Sequence, residues 1–141
     1  MAKLLRLSAL EETAMSPAKT VLIVDDSRVS RLLLRQFILS RRCFWHIEES
    51  ASGEDAIARM QRVLPHPTLP DLILLDVNMP GMGGLAAAAQ LRLLCPDAHI
   101  SLMTANIQMN TRRRATELGL GFLAKPMTEQ RIGALLDALG H

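Results

Sequence analysis

Two stretches of this 141-residue chain, TVLIV at 20–24 and LILLD at 72–76, run apolar through successive positions instead of alternating with polar ones. A strand with one face in water alternates. An unbroken β-branched or leucine run suits a strand covered on both faces, as in the middle of a parallel sheet. Such a sheet needs a crossover between successive strands, and the crossover is usually a helix. Both runs also end in carboxylates, Asp25 and Asp26 after the first and Asp76 in the second. A fold that satisfies these runs must therefore place acids at the rim of its core.

The rest of the chain supplies the crossovers. Residues 27–40, SRVSRLLLRQFILS, carry Val29, Leu32, Leu33 and Phe37 at helical spacing. WHIEESA at 45–51 reads as a short strand. SGEDAIARMQRV at 52–63 starts like a capping box, with Ser52 followed by Asp55. A loop containing Pro65, Pro67 and Pro70 leads to LILLD. Then come a helix at 84–94, a strand at 99–104, and a helix at about 108–118 that stops at Gly119. GFLA at 121–124 is the last strand, and 128–139 is the last helix, with Thr128 as its N-cap. Five strands alternating with five helices predict one α/β domain, a parallel sheet with helices on both faces.

Composition narrows the functions. A net charge of +2 is too small to argue nucleic-acid binding, and Arg112–Arg114 is the one basic run. On a helix such a run is usually a solvated face. No apolar stretch nears the ~20 residues that span a bilayer, and MAKLLRLSAL lacks the pattern of a secretory signal, so the protein reads as cytoplasmic. Cys43 and Cys95 have no C-x-x-C or metal-ligand spacing and read as small buried hydrophobes. The four histidines, His46, His66, His99 and His141, have no ligand spacing either. Residues 1–17 show no strand pattern and read as an extension, a tail or short helix, ahead of a domain at 18–141.

The polar groups fall at equivalent places in the repeating units. Asp25 and Asp26 follow the first strand, Asp76 closes the third, Thr104 closes the fourth, and Lys125 lies just past the fifth. In an open parallel sheet, ligands bind beyond the carboxyl ends of the strands, where the strand order reverses. Three clustered carboxylates repel one another unless one takes a proton or a cation binds. Oxygen-only ligands favour Mg²⁺, which prefers one or two carboxylates together with waters and a phosphate oxygen. One carboxylate is then left to act as a nucleophile toward phosphorus. Phosphoryl transfer needs alignment and positive charge on the equatorial oxygens, which Lys125, Thr104 and the ion supply. Gly81, Gly83 and Gly84, with Pro80 stiffening the turn, are expected to let the backbone pass close to the phosphate.

The acid pair, LLDVNMPGMGG, MTAN and FLAKP, in this order and spacing, resemble the receiver domain of two-component response regulators over residues 20 to about 139. The resemblance implies a flavodoxin-like, doubly wound sheet in the order 2-1-3-4-5. It implies that Asp76 accepts phosphate from a histidine kinase or histidine phosphotransfer protein, and that Asp25 and Asp26 form the acidic pair. Asp26 binds Mg²⁺ directly and Asn78 adds its backbone carbonyl. Thr104 and Lys125 hold the phosphate, while Thr104 and Phe122 form a switch. That switch reshapes the face of the fourth helix, fifth strand and fifth helix toward a downstream protein effector or, in a homodimer, a second copy. At most, slow self-dephosphorylation is expected, not enzymatic turnover. The chain departs from the family at Gly83, where an acid is usual, and Asn78 and Asn106 occupy positions that tune phosphate lifetime there.

Other readings are weaker. GMGGLA at 81–86 matches the dinucleotide pattern G-x-G-x-x-A, but it follows the third strand, and no acid lies near Asn106 to hold a ribose. A hydrolase with an aspartate nucleophile would want a second acid at position 78, where Asn78 stands. A receiver-like interaction module working without phosphorylation would not need the full set of acids, Thr104 and Lys125. No stretch is left over for a separate output domain, so the sequence is either a regulator that signals by docking or a piece of a longer chain.

Overall fold

A computed structural model describes residues 18–64, 67–105 and 109–140. The strands are β1 (Thr20–Val24), β2 (His46–Ser50), β3 (Leu72–Asp76), β4 (His99–Thr104) and β5 (Gly121–Ala124). The helices are α1 (Arg28–Arg41), α2 (Gly53–Met60), α3 (Gly83–Leu94), α4 (Met109–Glu117) and α5 (Glu129–Ala138). All strand pairs are parallel, in the order β2-β1-β3-β4-β5. The chain moves outward from β1 to β2 and returns past β1 to β3, so the order reverses between β1 and β3. The extension at 1–17, Pro65, His66, Asn106 and His141 lie outside the described residues.

Alternation along the strands divides the core in two. Leu22, Val24, Ile73, Leu75, Ile100 and Leu102 face α2, α3 and α4, meeting Ala56, Ala87, Leu91 and Ala115. Val21, Ile23, Leu72, Leu74 and Met103 face α1 and α5, meeting Leu34, Ile38, Ile132 and Leu136. Each buried leucine or isoleucine contributes about 1.5–3 kcal/mol relative to exposure. Every residue of β1 and β3 is buried, as the unbroken apolar runs require. Among the described residues, no helix is long and apolar enough to cross a membrane.

Helix ends follow their capping residues. Ser27, Ser52 and Thr128 accept bonds from Ser30 N, Asp55 N and Arg131 N and cap α1, α2 and α5. After α4, Gly119 takes φ +70°, the left-handed conformation that glycine adopts without a Cβ penalty.

One expectation fails here, that of a buried Cys43, and α1 buries a face that its apolar spacing did not single out. The buried residues of α1 are Leu34 and Ile38, whereas Val29, Leu32 and Leu33 are exposed and Phe37 is half-buried. The helix is apolar over too wide an arc for spacing alone to choose its inner face. Cys95 is buried, but Cys43, just past the end of α1, is exposed.

Candidate functional site

The reversal point between β1 and β3 opens a crevice whose floor is the end of two buried strands. Asp25 follows β1 and is 2% exposed; Asp76 ends β3 and is 3% exposed. Asp26 is exposed beside them. One carboxylate oxygen from each of the three lies within 4.8 Å of the others. Nothing in the local sequence explains the convergence of residues fifty positions apart. It follows from β1 and β3 pairing in register, Val24 against Leu75.

Each buried acid is aimed by a short local bond. Asp25 Oδ1 accepts from the amide of Ser27 at 2.9 Å, and Asp76 Oδ1 accepts from the amide of Asn78 at 3.1 Å. Both are the two-residue turn that aspartate forms readily at a strand end. Helix capping for α1 thus falls to Ser27, not to either acid.

Charge at the site is only partly balanced. Lys125 Nζ donates to Asp76 Oδ1 at 2.9 Å, with Asp76 almost fully covered and Lys125 about a third exposed. Burial pushes the Asp25 carboxyl up, and the Asp76 and Asp26 charges push the same way, against the Ser27 amide and Lys125. A site where burial makes Asp25 harder to ionise, and whose acids offer only oxygen ligands, suits a hard divalent cation. The grouping of Asp25, Asp26 and Asp76 therefore fits Mg²⁺, which these three would hold, with Asn78 two residues past Asp76.

The groups on β4 and β5 reach the same rim. Thr104 is buried at the end of β4, and its carbonyl accepts from Lys125 N at 2.8 Å. Phe122 pairs in register with Leu102, two residues before the Thr104–Ala124 pair. Alternation puts Thr104 on the face that Leu102 and Phe122 share, and Phe122 is half-buried against that core. Arg131 holds β5's end by donating to the Ala124 carbonyl.

The three glycines of this loop have different surroundings. A Cβ on Gly84 would strike the Asp76 carbonyl and the Val77 backbone, so Gly84 lets α3 seat directly on the end of β3. Gly83 takes φ +78° with open space around it, and Gly81 takes φ +85° with the Glu54 carboxylate where a Cβ would go. Both shape the turn, and Gly81 also admits the Glu54 carboxylate. The same packing explains why GMGGLA imitates a dinucleotide motif: its last glycine is filled by β3 backbone.

Sequence reasoning missed the side chains that brace the two acidic loops. Arg31 Nη1 donates to the Asp25 carbonyl at 2.7 Å while its Nε pairs with Glu49 at 2.9 Å. Glu54 Oε1 accepts from the Met82 amide at 3.2 Å. These partners sit 6 to 28 residues apart on different elements, and only the surplus of arginine on α1 hinted at them. The Arg112–Arg114 run is exposed, as expected of a solvated helix face.

Comparison with known proteins agrees with this arrangement. The family model described as the response regulator receiver domain matches residues 21–137. The chemotaxis protein CheY of Halobacterium salinarum is 30% identical over 124 residues, covering 86% of this chain and 98% of that protein. A two-component response regulator from Legionella pneumophila superposes with a TM-score of 0.75 at 25% identity, covering 86% of this chain and 97% of the other. A Burkholderia pseudomallei response regulator, solved with a phosphorylated aspartic acid, a calcium ion and citrate, superposes with a TM-score of 0.71 at 25% identity, covering 82% of this chain and 65% of that one. The chain spans about half the length, or less, of other curated relatives it matches.

Proposed function

The chain belongs to the response regulator receiver domain family, and on that premise we propose that it is a phosphoacceptor switch operating through Asp76. The receiver domain is read as residues 18–141, with 1–17 an extension of it. The observation that carries this reading is the meeting of three carboxylates at one point with Lys125 bonded to one of them. Signalling receivers are acceptors, not turnover catalysts, and Asn78 stands where a hydrolase would carry its general acid.

The donor is a phosphohistidine on a histidine kinase or phosphotransfer protein. Asp76 Oδ1 is held by Lys125 and the Asn78 amide, which leaves Oδ2 as the oxygen to attack the incoming phosphorus. As the new O–P bond forms, the P–N bond breaks and its electron pair returns to the imidazole. Asp25, Asp26, Asp76 and the Asn78 carbonyl would hold Mg²⁺, which would supply charge stabilisation for the phosphoryl oxygens. Lys125 and the Thr104 hydroxyl hold the same oxygens once the acyl phosphate is made.

A cavity of about 440 Å³ beside Asp25 and Lys125, lined by Leu33, Leu34, Met103, Pro126 and Met127, supports docking of a protein donor here. Val29 and Leu32, also on α1, are exposed. Output runs through the opposite side of the site. Thr104 moves toward the phosphate, Phe122 turns inward beside it, and the α4–β5–α5 face changes for a protein effector or a second copy of the chain. A charge-assisted hydrogen bond contributes ~1.5–3 kcal/mol, while swinging a two-state equilibrium from 1:99 to 99:1 takes about 5.5 kcal/mol. Thr104 therefore shares the work with Lys125 and the ion. A module indifferent to phosphate would have no use for this set of acids.

Intact mass after exposure to acetyl phosphate and Mg²⁺ tests the reading. One added phosphoryl group in the wild type, and none in Asp76→Asn, is expected. An equal gain in Asp76→Asn, or none in the wild type, overturns it.

A further inference from the structure

The edge of the sheet farthest from Lys125 carries a device of its own. Glu49, near the end of β2, bonds Arg31 through Oε1 and Arg35 through Oε2, each at 2.9 Å. Arg31 is largely buried and passes that hold on to the Asp25 carbonyl. The Asp25 amide in turn donates to the Ser50 carbonyl at 3.1 Å. Both backbone groups of Asp25 are thus tied, directly or through one guanidinium, to residues 49 and 50. Arg59 on α2 donates to the Glu49 carbonyl at 2.8 Å and stiffens the same stretch.

A few residues later the chain reaches across to the second loop. Met82 stands at the N-cap of α3 and offers no side-chain cap. Its amide is satisfied instead by Glu54 from the first turn of α2. Gly81 makes room for that carboxylate, since a Cβ there would lie 2.7 Å from Glu54 Oε2. Met82 also lies against Gly53, whose missing Cβ would come within 3.3 Å of Met82 Cγ. Neither Glu49 nor Glu54 belongs to the cluster of three acids.

We propose that residues 49–54 are a positioning element that braces both loops of the site from one side: Glu49 sets the Asp25–Asp26 loop through Arg31, and Glu54 sets the loop after Asp76. The inference rests on the phosphoacceptor reading of Asp76. Glu49 and Arg31 fix how closely the acid pair can approach a cation. Glu54 fixes the turn that follows the nucleophile, while Asn78 keeps its own anchor on Asp76. The two carboxylates therefore govern different observables, cation affinity and rate of phosphoryl uptake.

The test uses Glu49→Ala, Glu54→Ala and Glu54→Gln in the full chain. Mg²⁺ affinity is read by titration calorimetry, uptake from acetyl phosphate at saturating Mg²⁺ by intact mass against time, and folding by Tm. Loss of one such hydrogen bond translates to about a two- to tenfold effect. Glu49→Ala is expected to weaken Mg²⁺ binding by that factor. Glu54→Ala is expected to slow uptake by that factor while leaving Mg²⁺ affinity within about twofold, and Glu54→Gln, which keeps an acceptor oxygen, restores the rate. If Glu49→Ala does not fold, Arg31→Lys, which keeps the charge but loses the fork, is expected to weaken Mg²⁺ binding in its place. Variants that match the wild type in Mg²⁺ affinity and uptake rate, whatever their Tm, overturn this inference, while a wild type that takes up phosphate leaves the reading of Asp76 standing. A wild type that takes no phosphoryl group overturns the reading of Asp76 and this inference with it.

Discussion

The central strands β1 and β3 and the edge strand β5 all deliver groups to one site, but they hold them differently. Every residue of β1 and β3 is buried, and each strand ends in an acid locked by its own turn. In β5, Gly121, Phe122 and Leu123 are half-buried and Ala124 is exposed. Asp25 and Asp76 thus ride on fully buried strands, whereas Phe122, one of the two groups assigned to switching, rides on the most weakly covered one; its partner Thr104 is buried at the end of β4. A buried strand has few alternative arrangements and a half-covered edge has several, so freedom to rearrange is greatest at β5.

Core truncation is the sharpest way to break that contrast. Leu74→Ala, at a fully buried position in β3, is expected to cost ~2–5 kcal/mol in chemical denaturation. Leu123→Ala in β5 is expected to cost about 1 kcal/mol. Equal losses would show that the two strands are packed alike.

A second comparison lies inside one loop. Gly84→Ala forces a methyl group onto the β3 backbone and is expected to cost ~1–3 kcal/mol, measured the same way. Gly83→Ala meets no neighbour and carries only the penalty of its positive φ, on the order of 1 kcal/mol. The reverse order would mean that α3 is not seated on β3 as described.

Hydrogen exchange sharpens the functional side. After treatment with acetyl phosphate and Mg²⁺, changes in amide protection are expected to concentrate at 121–124 and its flanking helices, and to be smaller at 20–24 and 72–76. Larger changes in the central strands would place the switch elsewhere.

The smallest effect concerns charge. Burial raises the folded pKa of Asp25 above 3.8, so the folded protein holds this proton more tightly than the unfolded chain does. Stability from this group is greatest below pH 3.8, falls as pH rises from there through the raised folded value, and stays reduced above it. Without Mg²⁺, Asp25→Asn is expected to raise Tm at pH 7, with the gain shrinking as pH approaches 3.8. A gain independent of pH would assign the effect to something other than the carboxylate charge.

Much of this was legible in the residues. β1, β3, β4 and β5 have the bounds their apolar runs suggested, because an acid, threonine or lysine stops each run where the strand meets water. The acids, Lys125 and Thr104 were findable because the repeating unit puts its strand ends on one rim. The inner face of α1 was not, since LLL followed by FIL offers two apolar arcs and only packing against Trp45 and α5 selects Leu34 and Ile38. The role of Gly84 and the ties of Glu49 and Glu54 were hidden for a similar reason. Each depends on which element lies next door, and no local spacing encodes a neighbour 10 to 28 residues away.

The turns at Asp25 and Asp76 have one further consequence. Each carboxylate gets its orientation from an amide two residues downstream, a relation a short peptide already contains. Direction is thus written into tripeptides, whereas togetherness is left to long-distance strand pairing. Mutations elsewhere that loosen the assembly would scatter two correctly pointed carboxylates before they misdirected either one.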